Sequence, residues 1–442
     1  MLTARRPTNA RPPFDYKSRS ILRLIGSCFD PTSFIDIGYN KRMRYFLLLL
    51  VSTVLVNGQI LDFRSTPARD SRTQSFLSKR GIPSLSQRAV SVDVDELSRA
   101  AVIEFSLLDG KTYTARLAKF EARGESNSFY WHGKIDGGGD AMFTVRRGLV
   151  SAYIDSAAGI HQVVPTPDGG HALIQVKTEA FGQCTTKRDP AAAKFVATGR
   201  PHKPSDGTGL IPIDGDPIVD VTITYTAAAK DEAGGGDAMA VQVQAMIDST
   251  NLSFQNSQLL MRVRLASTYE SSYTAAELDK TLSFLDTLMN DPDIAARRDT
   301  DKADLVALIT SRGEGEEDGC GKAFGLAADG SRAFSETKLS CAVGNLTFAH
   351  ELGHNFGAEH DPTNGAAPED AARPYAFGHN VNGKFRTVMS YDNQCADGCK
   401  RVPYWSNPDI TYMDEATGIA DKRDNARLLR ETGPIVAKFR QQ

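Results

Sequence analysis

The stretch TFAHELGHNFGAEHD, residues 347–361, decides how the C-terminal half of this chain folds. His350 and His354 lie four positions apart, which places both imidazoles on one face of a helix. A continued helix would carry His360 away from them, so the chain has to turn between the second and third histidines. Gly357 can adopt the left-handed conformation that ends a helix. The stretch therefore predicts a helix, a glycine turn and three imidazoles that meet.

Three neutral imidazoles that leave one coordination position open are typical of a catalytic zinc site. An ion of this kind acidifies a water molecule and polarises a carbonyl group. Glu351 follows the first ligand, so its carboxylate can take a proton from that water and pass it to a leaving amine. We therefore predict one zinc ion held by His350, His354 and His360, with Glu351 as the catalytic general base.

The extended motif resembles the zinc signature of the metzincin peptidases. Asp361, directly after the third histidine, resembles the reprolysin/adamalysin branch of that group. Downstream, TVMSY at residues 387–391 is similar to a Met-turn, with Met389 expected beneath the metal. The Ser-Tyr pair departs from the usual reprolysin sequence and resembles serralysins and astacins, in which the phenol can help to bind the oxyanion. Tyr391 is thus a candidate transition-state stabiliser.

The resemblance covers residues 217–442 and implies a mixed α/β fold, with a mixed sheet and an active-site helix in a metzincin-like catalytic domain. It also implies a zinc metalloendopeptidase whose protein or peptide substrate lies extended along an edge strand, which we place near Ala323–Ala327. Residues 403–408 would shape the primed-side pocket. The alternative is a catalytically weak or inactive zinc-binding secreted protein of the same fold. The intact Glu351 favours the enzyme.

The N-terminal region contains an apolar run, FLLLLVSTVLV at residues 46–56, that follows basic residues. Its eleven residues are too few for a membrane-spanning helix and match the core of a signal peptide. We predict a signal peptide at 43–58 within an upstream segment 1–58, and Met43 would give it a more usual start. The expected product is secreted and keeps no stable membrane anchor after the signal is removed.

Patterning divides the rest of the precursor into segments. Residues 59–93 form a polar segment with little periodicity, for which we expect few fixed contacts. Short alternating strands separated by glycine turns predict a small antiparallel β-rich prodomain at 94–184. Prolines then punctuate a linker at 185–216, a suitable place for maturation cleavage. The propeptide itself is therefore an expected partner of the catalytic domain.

Strands alternate with helices after the linker, which indicates a mixed or mostly parallel sheet. We predict that Asp237 caps a helix with one buried face, and that Leu278, Leu282, Leu285 and Met289 form a second helical stripe. A terminal helix is expected to be interrupted at Gly433-Pro434. The predicted strands and helical faces are Ile218–Tyr225, Met261 with Val263 and Leu265, Leu305–Thr310, and Met239, Val243, Met246, Ile247 and Phe254.

Export implies an oxidising compartment, in which paired cysteines persist. Of the six cysteines, Cys28 lies in the upstream segment, and four are disulfide candidates whose pairing the sequence cannot decide: Cys320, Cys341, Cys395 and Cys399. Cys184 remains, at the end of the β-rich segment. A thiolate is a strong zinc ligand, and its position resembles the cysteine switch of metzincin propeptides, although the flanking residues do not match the matrixin switch sequence.

The composition excludes some partners. The net charge is -3 and no basic stripe interleaves with aromatic residues, so we expect no nucleic-acid partner. We expect a monomer. No calcium site can be read from the sequence.

Overall fold

The computed structural model describes residues 59–62, 71–186, 216–278, 284–314, 319–326 and 329–440. The predicted signal peptide at 43–58, Cys28 and nearly all of the linker 185–216 lie outside the described residues. No described helix is both long enough and apolar enough to cross a membrane.

The N-terminal part of the described chain is a closed nine-stranded barrel in the order β1-β2-β9-β8-β7-β6-β5-β4-β3. Its interior is filled by alternate side chains. In β3, Ile103 and Phe105 are fully buried, whereas Val102, Glu104 and Ser106 are half-exposed. The strands are β1 Gln59–Asp62, β2 Ser84–Val92, β3 Val102–Ser106, β4 Thr112–Ala122, β5 Phe129–Ile135, β6 Asp140–Arg146, β7 Leu149–Ser156, β8 Gly159–Pro165 and β9 His171–Val176.

The polar segment 59–93 differs from our expectation of few fixed contacts. It contributes β1, the helix α1 (Ser71–Arg80) and β2, and these strands close the barrel through β2–β9 and the parallel β1–β3 pair. Most β2 side chains are exposed or half-exposed, so the strand is held by backbone hydrogen bonds and carries almost no hydrophobic pattern. A short helix α2, Val94–Leu97, follows it.

The C-terminal part contains a six-stranded mixed sheet in the order β10-β14-β15-β13-β11-β12. Its strands are β10 Gln183–Cys184, β11 Ile218–Tyr225, β12 Arg262–Glu270, β13 Leu305–Thr310, β14 Gly319–Ala323 and β15 Phe334–Lys338. Four neighbouring strands, β15, β13, β11 and β12, run parallel to one another. Strand β14 runs antiparallel to β15. The predicted mixed α/β architecture is confirmed.

The edge of this sheet lies earlier than expected. We placed it near Ala323–Ala327, but among the strands that follow the linker the edge strand is β14, which ends at Ala323. Its outer side is already paired with β10, which comes from before the linker and runs parallel to it. The two residues of β10 are too few to show a strand pattern in the sequence.

The helices are α3 Ala227–Ala233, α4 Gly236–Asn256, α5 Ala275–Leu278, α6 Phe284–Asn290, α7 Pro292–Asp301, α8 Leu339–Ala342, α9 Thr347–Asn355 and α10 Asn425–Val436. The predicted face of α4 is buried, but its N-cap is Gly235, and Asp237 lies in the first turn. The predicted second stripe belongs to two short helices, α5 and α6, and Leu282 lies outside the described residues. The expected break at Pro434 is wrong: α10 continues through it, because a proline so near the helix end removes only one hydrogen bond.

Small elements follow α9 and complete the lower part of the domain. They are β16 Asn380–Val381, β17 Phe385–Arg386, β18 Lys400–Arg401, β19 Thr411–Tyr412 and β20 Glu415–Ala416. The first three form one sheet, in which β17 and β18 run parallel.

The barrel packs directly on the C-terminal part of the described chain. Tyr130, Met142 and Tyr153 of the barrel share one apolar cluster with residues of α4 and α9. Polar contacts add to it, because Asp248 of α4 accepts hydrogen bonds at 2.6 Å from both Arg123 and Thr144. The two parts are therefore held together by a buried interface as well as by the chain.

Candidate active site

Helix α9 carries the first two histidines, and a turn brings in the third. The helix ends at Asn355, and Gly357 follows with φ +92°, in the left-handed region that glycine tolerates best. The turn brings His360 back so that its Nε2 atom lies 3.0 Å from Nε2 of His354 and 3.1 Å from Nε2 of His350. The structure thus brings the three predicted ligands together.

Backbone carbonyls orient each imidazole. Nδ1 of His350 lies 2.8 Å from the Val388 oxygen, and Nδ1 of His354 lies 2.9 Å from the Ala358 oxygen. Nδ1 of His360 lies 3.2 Å from the Asn364 oxygen. Because a carbonyl can only accept, each Nδ1 donates its proton, and each Nε2 presents a lone pair to the common centre.

This donor set fits a divalent transition metal. Burial lowers the pKa of all three histidines, to about 4 for His360, so the imidazoles are neutral ligands. Three lone pairs that face one another in a buried space repel unless a cation lies between them. Cys184 adds a fourth ligand atom, and the four ligand atoms lie within 4.8 Å of one another.

Cys184 reaches this centre from β10, the strand that precedes the linker. Its sulfur lies 3.6 Å from Nε2 of His354 and donates a hydrogen bond to Oε2 of Glu351 at 3.3 Å. Burial, followed by the charge of Glu351, raises the pKa of the thiol. A divalent cation at the histidines would reverse this effect, since a coordinating thiol loses its proton.

Glu351 lies beside the three histidines and is fully buried. Its Oε2 atom faces Cys184 and Thr186, whereas its Oε1 atom has no partner. Burial raises its pKa to about 8. Gly321 of β14 makes room for this side chain, because a Cβ there would lie 2.8 Å from Oε1.

The predicted Met-turn lies under α9. Met389 is fully buried, and Val388 supplies the carbonyl that orients His350. Asp361 joins the third-histidine loop to this turn, because its Oδ2 atom accepts a hydrogen bond from the Tyr391 amide at 3.0 Å. Asp361, the residue that resembles the reprolysin branch, therefore links the third-histidine loop to the Met-turn.

Gly353 of α9 makes the close approach to the Met-turn possible. An added Cβ would lie 2.6 Å from the Met389 sulfur and 2.8 Å from the Trp405 ring. We expect Gly353→Ala to lower the free energy of unfolding by about 1–3 kcal/mol, as overpacking does, despite the better helix propensity of alanine. Gly236→Ala in α4, where nothing lies within 4 Å of the added methyl, should be nearly neutral. Chemical denaturation measures both, and equal stabilities would contradict the packing argument.

Tyr391 lies beside the third histidine. Its hydroxyl is 3.1 Å from Nε2 of His360 and donates a 2.8 Å hydrogen bond to the backbone carbonyl of Cys184. The phenol therefore lies next to the common centre of the imidazoles, where it contacts β10. Burial raises its pKa, so it remains a protonated donor.

The four disulfide candidates pair as Cys320–Cys341 and Cys395–Cys399. The first bridge joins the edge strand β14 to helix α8, just before α9. The second closes a short loop after the Met-turn. Cys184 is the free cysteine among the described residues.

Residues that the sequence did not single out also build this site. Asn345 lies just before α9, and the guanidinium groups of Arg386 and Arg401 both contact it. Thr186 lies against β14, where its Oγ1 atom accepts a 2.9 Å hydrogen bond from the Ala323 amide. No motif in the sequence indicates a role in this site for any of these residues, so only the fold reveals it.

Comparison with known proteins agrees with this geometry. Residues 216–406 match the Reprolysin_5 family model, described as metallo-peptidase family M12. A peptidyl-Asp metalloendopeptidase from Xanthomonas campestris pv. campestris is 29% identical over 377 residues, covering 80% of this chain and 85% of the relative. One from Stenotrophomonas maltophilia is 29% identical over 370 residues, covering 76% and 83%. One from Pseudomonas fragi is 37% identical over 108 residues, covering 24% and 65%.

Proposed function

Because this chain is a metzincin-like metalloendopeptidase, we propose that it is a secreted zinc enzyme made as a latent precursor, with Glu351 as its general base. The observation that carries this proposal is the meeting of three Nε2 lone pairs beside a buried carboxylate. The substrates are proteins or peptides, as for any endopeptidase.

Zinc is the ion that best suits a site of three histidines with a fourth position to be filled. His350, His354 and His360 would hold it. When bound, the ion supplies Lewis acidity that polarises the scissile carbonyl and lowers the pKa of a water molecule. The carbonyls that fix the three Nδ1 atoms keep the imidazoles aligned before any ion arrives.

Glu351 takes a proton from the attacking water and later delivers it to the leaving amine. Its Oε1 atom has no partner in the precursor, so a hydrogen-bonding position is available once the prosegment leaves. Oε2 loses its contacts with Cys184 and Thr186 at the same time. The carboxylate is then free to face water.

Tyr391 stabilises the negative charge that develops on the substrate carbonyl oxygen. In the precursor its hydroxyl donates to the Cys184 carbonyl, so the donor already points at a peptide oxygen. Departure of the prosegment frees that donor for a substrate peptide group.

Latency rests on two blocks applied by one segment. Cys184 places its sulfur among the ligand atoms, at the position that a catalytic water would occupy. Beside it, β10 pairs with β14, the edge along which an extended substrate would bind. Cleavage in the linker 185–216 would separate the barrel, as a propeptide, from the enzyme that begins near residue 217.

Secretion is supported by the predicted signal peptide and by the two disulfides, which persist in oxidising compartments. We also propose that the mature enzyme is a monomer.

The relatives of this chain are named peptidyl-Asp metalloendopeptidases, and we propose the same preference for aspartate next to the scissile bond.

Metal removal tests this function. We expect the processed protein to cleave a denatured protein substrate, to lose that activity completely with 1,10-phenanthroline, and to regain it when zinc is added back. Mass spectrometry of the intact protein should count one ion per chain. Cleavage that survives the chelator, or an ion count of zero in an active sample, would contradict the proposal.

A further inference from the structure

Two buried arginines lie side by side behind the metal centre. Arg386 in β17 and Arg401 in β18 are direct register partners of a parallel pair. Both guanidinium groups donate to the carbonyl of Ser390, at 2.9 Å and 3.3 Å. Both also contact Asn345, through its side-chain oxygen and its backbone carbonyl.

Neither guanidinium group forms a direct ion pair with a described residue, although the charges of Asp392, Asp361 and Glu351 lie near enough to act on them. Among the described residues, no carboxylate lies within 4.0 Å of either group, and the Nε atoms of both are buried without a hydrogen-bond partner. Burial, together with the neighbouring Arg401 charge, lowers the pKa of Arg386. Two adjacent cations out of water are costly unless an anion joins them.

This arginine pair contacts residues that adjoin the reacting groups in the chain. Ser390, the carbonyl that both groups share, precedes Tyr391, whose hydroxyl is 3.1 Å from Nε2 of His360. Asn345 lies just before α9. Burial is the largest influence on the pKa of Glu351, His350 and Tyr391. The positive charge of Arg401 lowers the pKa of each of these groups.

The barrel covers this region in the precursor. Tyr153 of β7 donates a 3.2 Å hydrogen bond to the backbone carbonyl of Arg401, and Lys400 pairs with Asp155. Gln162 of β8 lies so close to Gly344 that a Cβ there would be 2.7 Å from its Oε1 atom. Departure of the barrel therefore removes the cover from the strand that carries Arg401.

We propose that Arg401, with Arg386 beside it, binds the carboxylate of the substrate aspartate next to the scissile bond. This inference rests on the proposed function and names the residues that would give it acidic specificity. A guanidinium group offers two parallel donors to a carboxylate, so the pair is matched in geometry as well as in charge. An asparagine in the same position would leave the cations unpaired.

The test compares two peptides that differ only in Asp or Asn at one position, with processed wild-type enzyme and Arg401→Gln. We expect the ratio of kcat/KM for the Asp peptide to that for the Asn peptide to fall about 10- to 100-fold, the effect of one hydrogen bond to a charged group. Cleavage of the Asn peptide should fall less than cleavage of the Asp peptide, because only the Asp peptide loses a charged partner. Arg401→Lys should give an intermediate ratio, because lysine keeps the positive charge but cannot donate two parallel hydrogen bonds to one carboxylate.

Arg298→Gln is the matched control. Arg298 is also buried and also donates to backbone carbonyls, those of Ala303 and Asp304, but it lies in α7, away from the site. It should lose stability with an unchanged Asp-to-Asn ratio. If Arg401→Gln does not fold, Arg401→Lys and calorimetric binding of the Asp and Asn product peptides to wild-type enzyme carry the test.

The outcomes separate the two proposals. A chelator-insensitive or inactive wild-type protein would contradict the proposed function. An equal fall in metal-dependent cleavage of the two peptides in Arg401→Gln would show that Arg401 stabilises the fold without recognising the substrate carboxylate, and it would overturn the inference. An unchanged ratio in Arg401→Lys, or equal binding of the two product peptides, would also overturn it.

Discussion

Replacing Glu351 with glutamine should lower kcat/KM of the processed enzyme about 10²- to 10⁴-fold, the usual contribution of a general acid–base group. Glutamine keeps the size of the side chain but cannot accept the proton of the attacking water. The side chain is fully buried beside Gly321, so the replacement fits the same space. Steady-state kinetics on a fluorogenic peptide measures the loss.

The metal content distinguishes loss of the base from loss of the site. Glu351→Gln should still bind one zinc ion, because the three histidines keep their carbonyl partners. Glu359→Gln is a suitable control, since this carboxylate lies in the turn that precedes His360 and accepts a hydrogen bond from the Ala366 amide. We expect it to stay within a few-fold of wild type. A Glu351→Gln enzyme of normal activity would remove the proposed mechanism.

Replacing Cys184 with alanine should make the uncleaved precursor active. The substitution removes the sulfur from the ligand cluster and leaves a position that water can fill. We expect the precursor to cleave a short peptide at least about 10-fold faster than the wild-type precursor, because a thiolate bound to zinc is a far stronger ligand than water. The expected gain on a folded protein substrate is smaller, since β10 still covers β14.

Gln183→Ala controls for disturbance of the prosegment. Its side chain is exposed, and the residue takes part in the β10–β14 pairing through its backbone. This variant should remain as latent as wild type. A Cys184→Ala precursor with wild-type latency would show that the thiol does not control activity.

The sequence predicted the residues that meet at the candidate site because their relation is local. His350 and His354 share one helical face, and Gly357 can make the turn that His360 requires, so helix geometry and one glycine turn bring the three imidazoles together. The mixed sheet was predictable for a similar reason, because its inner strands are apolar and alternate with helices along the chain.

The remaining features depend on contacts between distant segments. Strand β2 closes the barrel although its side chains are mostly exposed, so it lacks the hydrophobic pattern that marks a strand. Arg386 and Arg401 become neighbours only when β17 and β18 pair. The contact of Cys184 with His354 spans 170 positions, so Cys184 could be identified as a candidate ligand from the sequence but not placed beside a particular histidine.

The interface between the barrel and the catalytic domain makes cleavage of the linker and dissociation of the barrel two separate events. A cut in the linker breaks the chain, but it breaks none of the apolar contacts around Tyr153 and Met142, nor the hydrogen bonds to Asp248. On the proposal that the barrel is a propeptide, we therefore expect the severed barrel to stay bound as a non-covalent inhibitor until it dissociates. Activity then follows processing with a lag that dilution shortens and that additional processing protease does not.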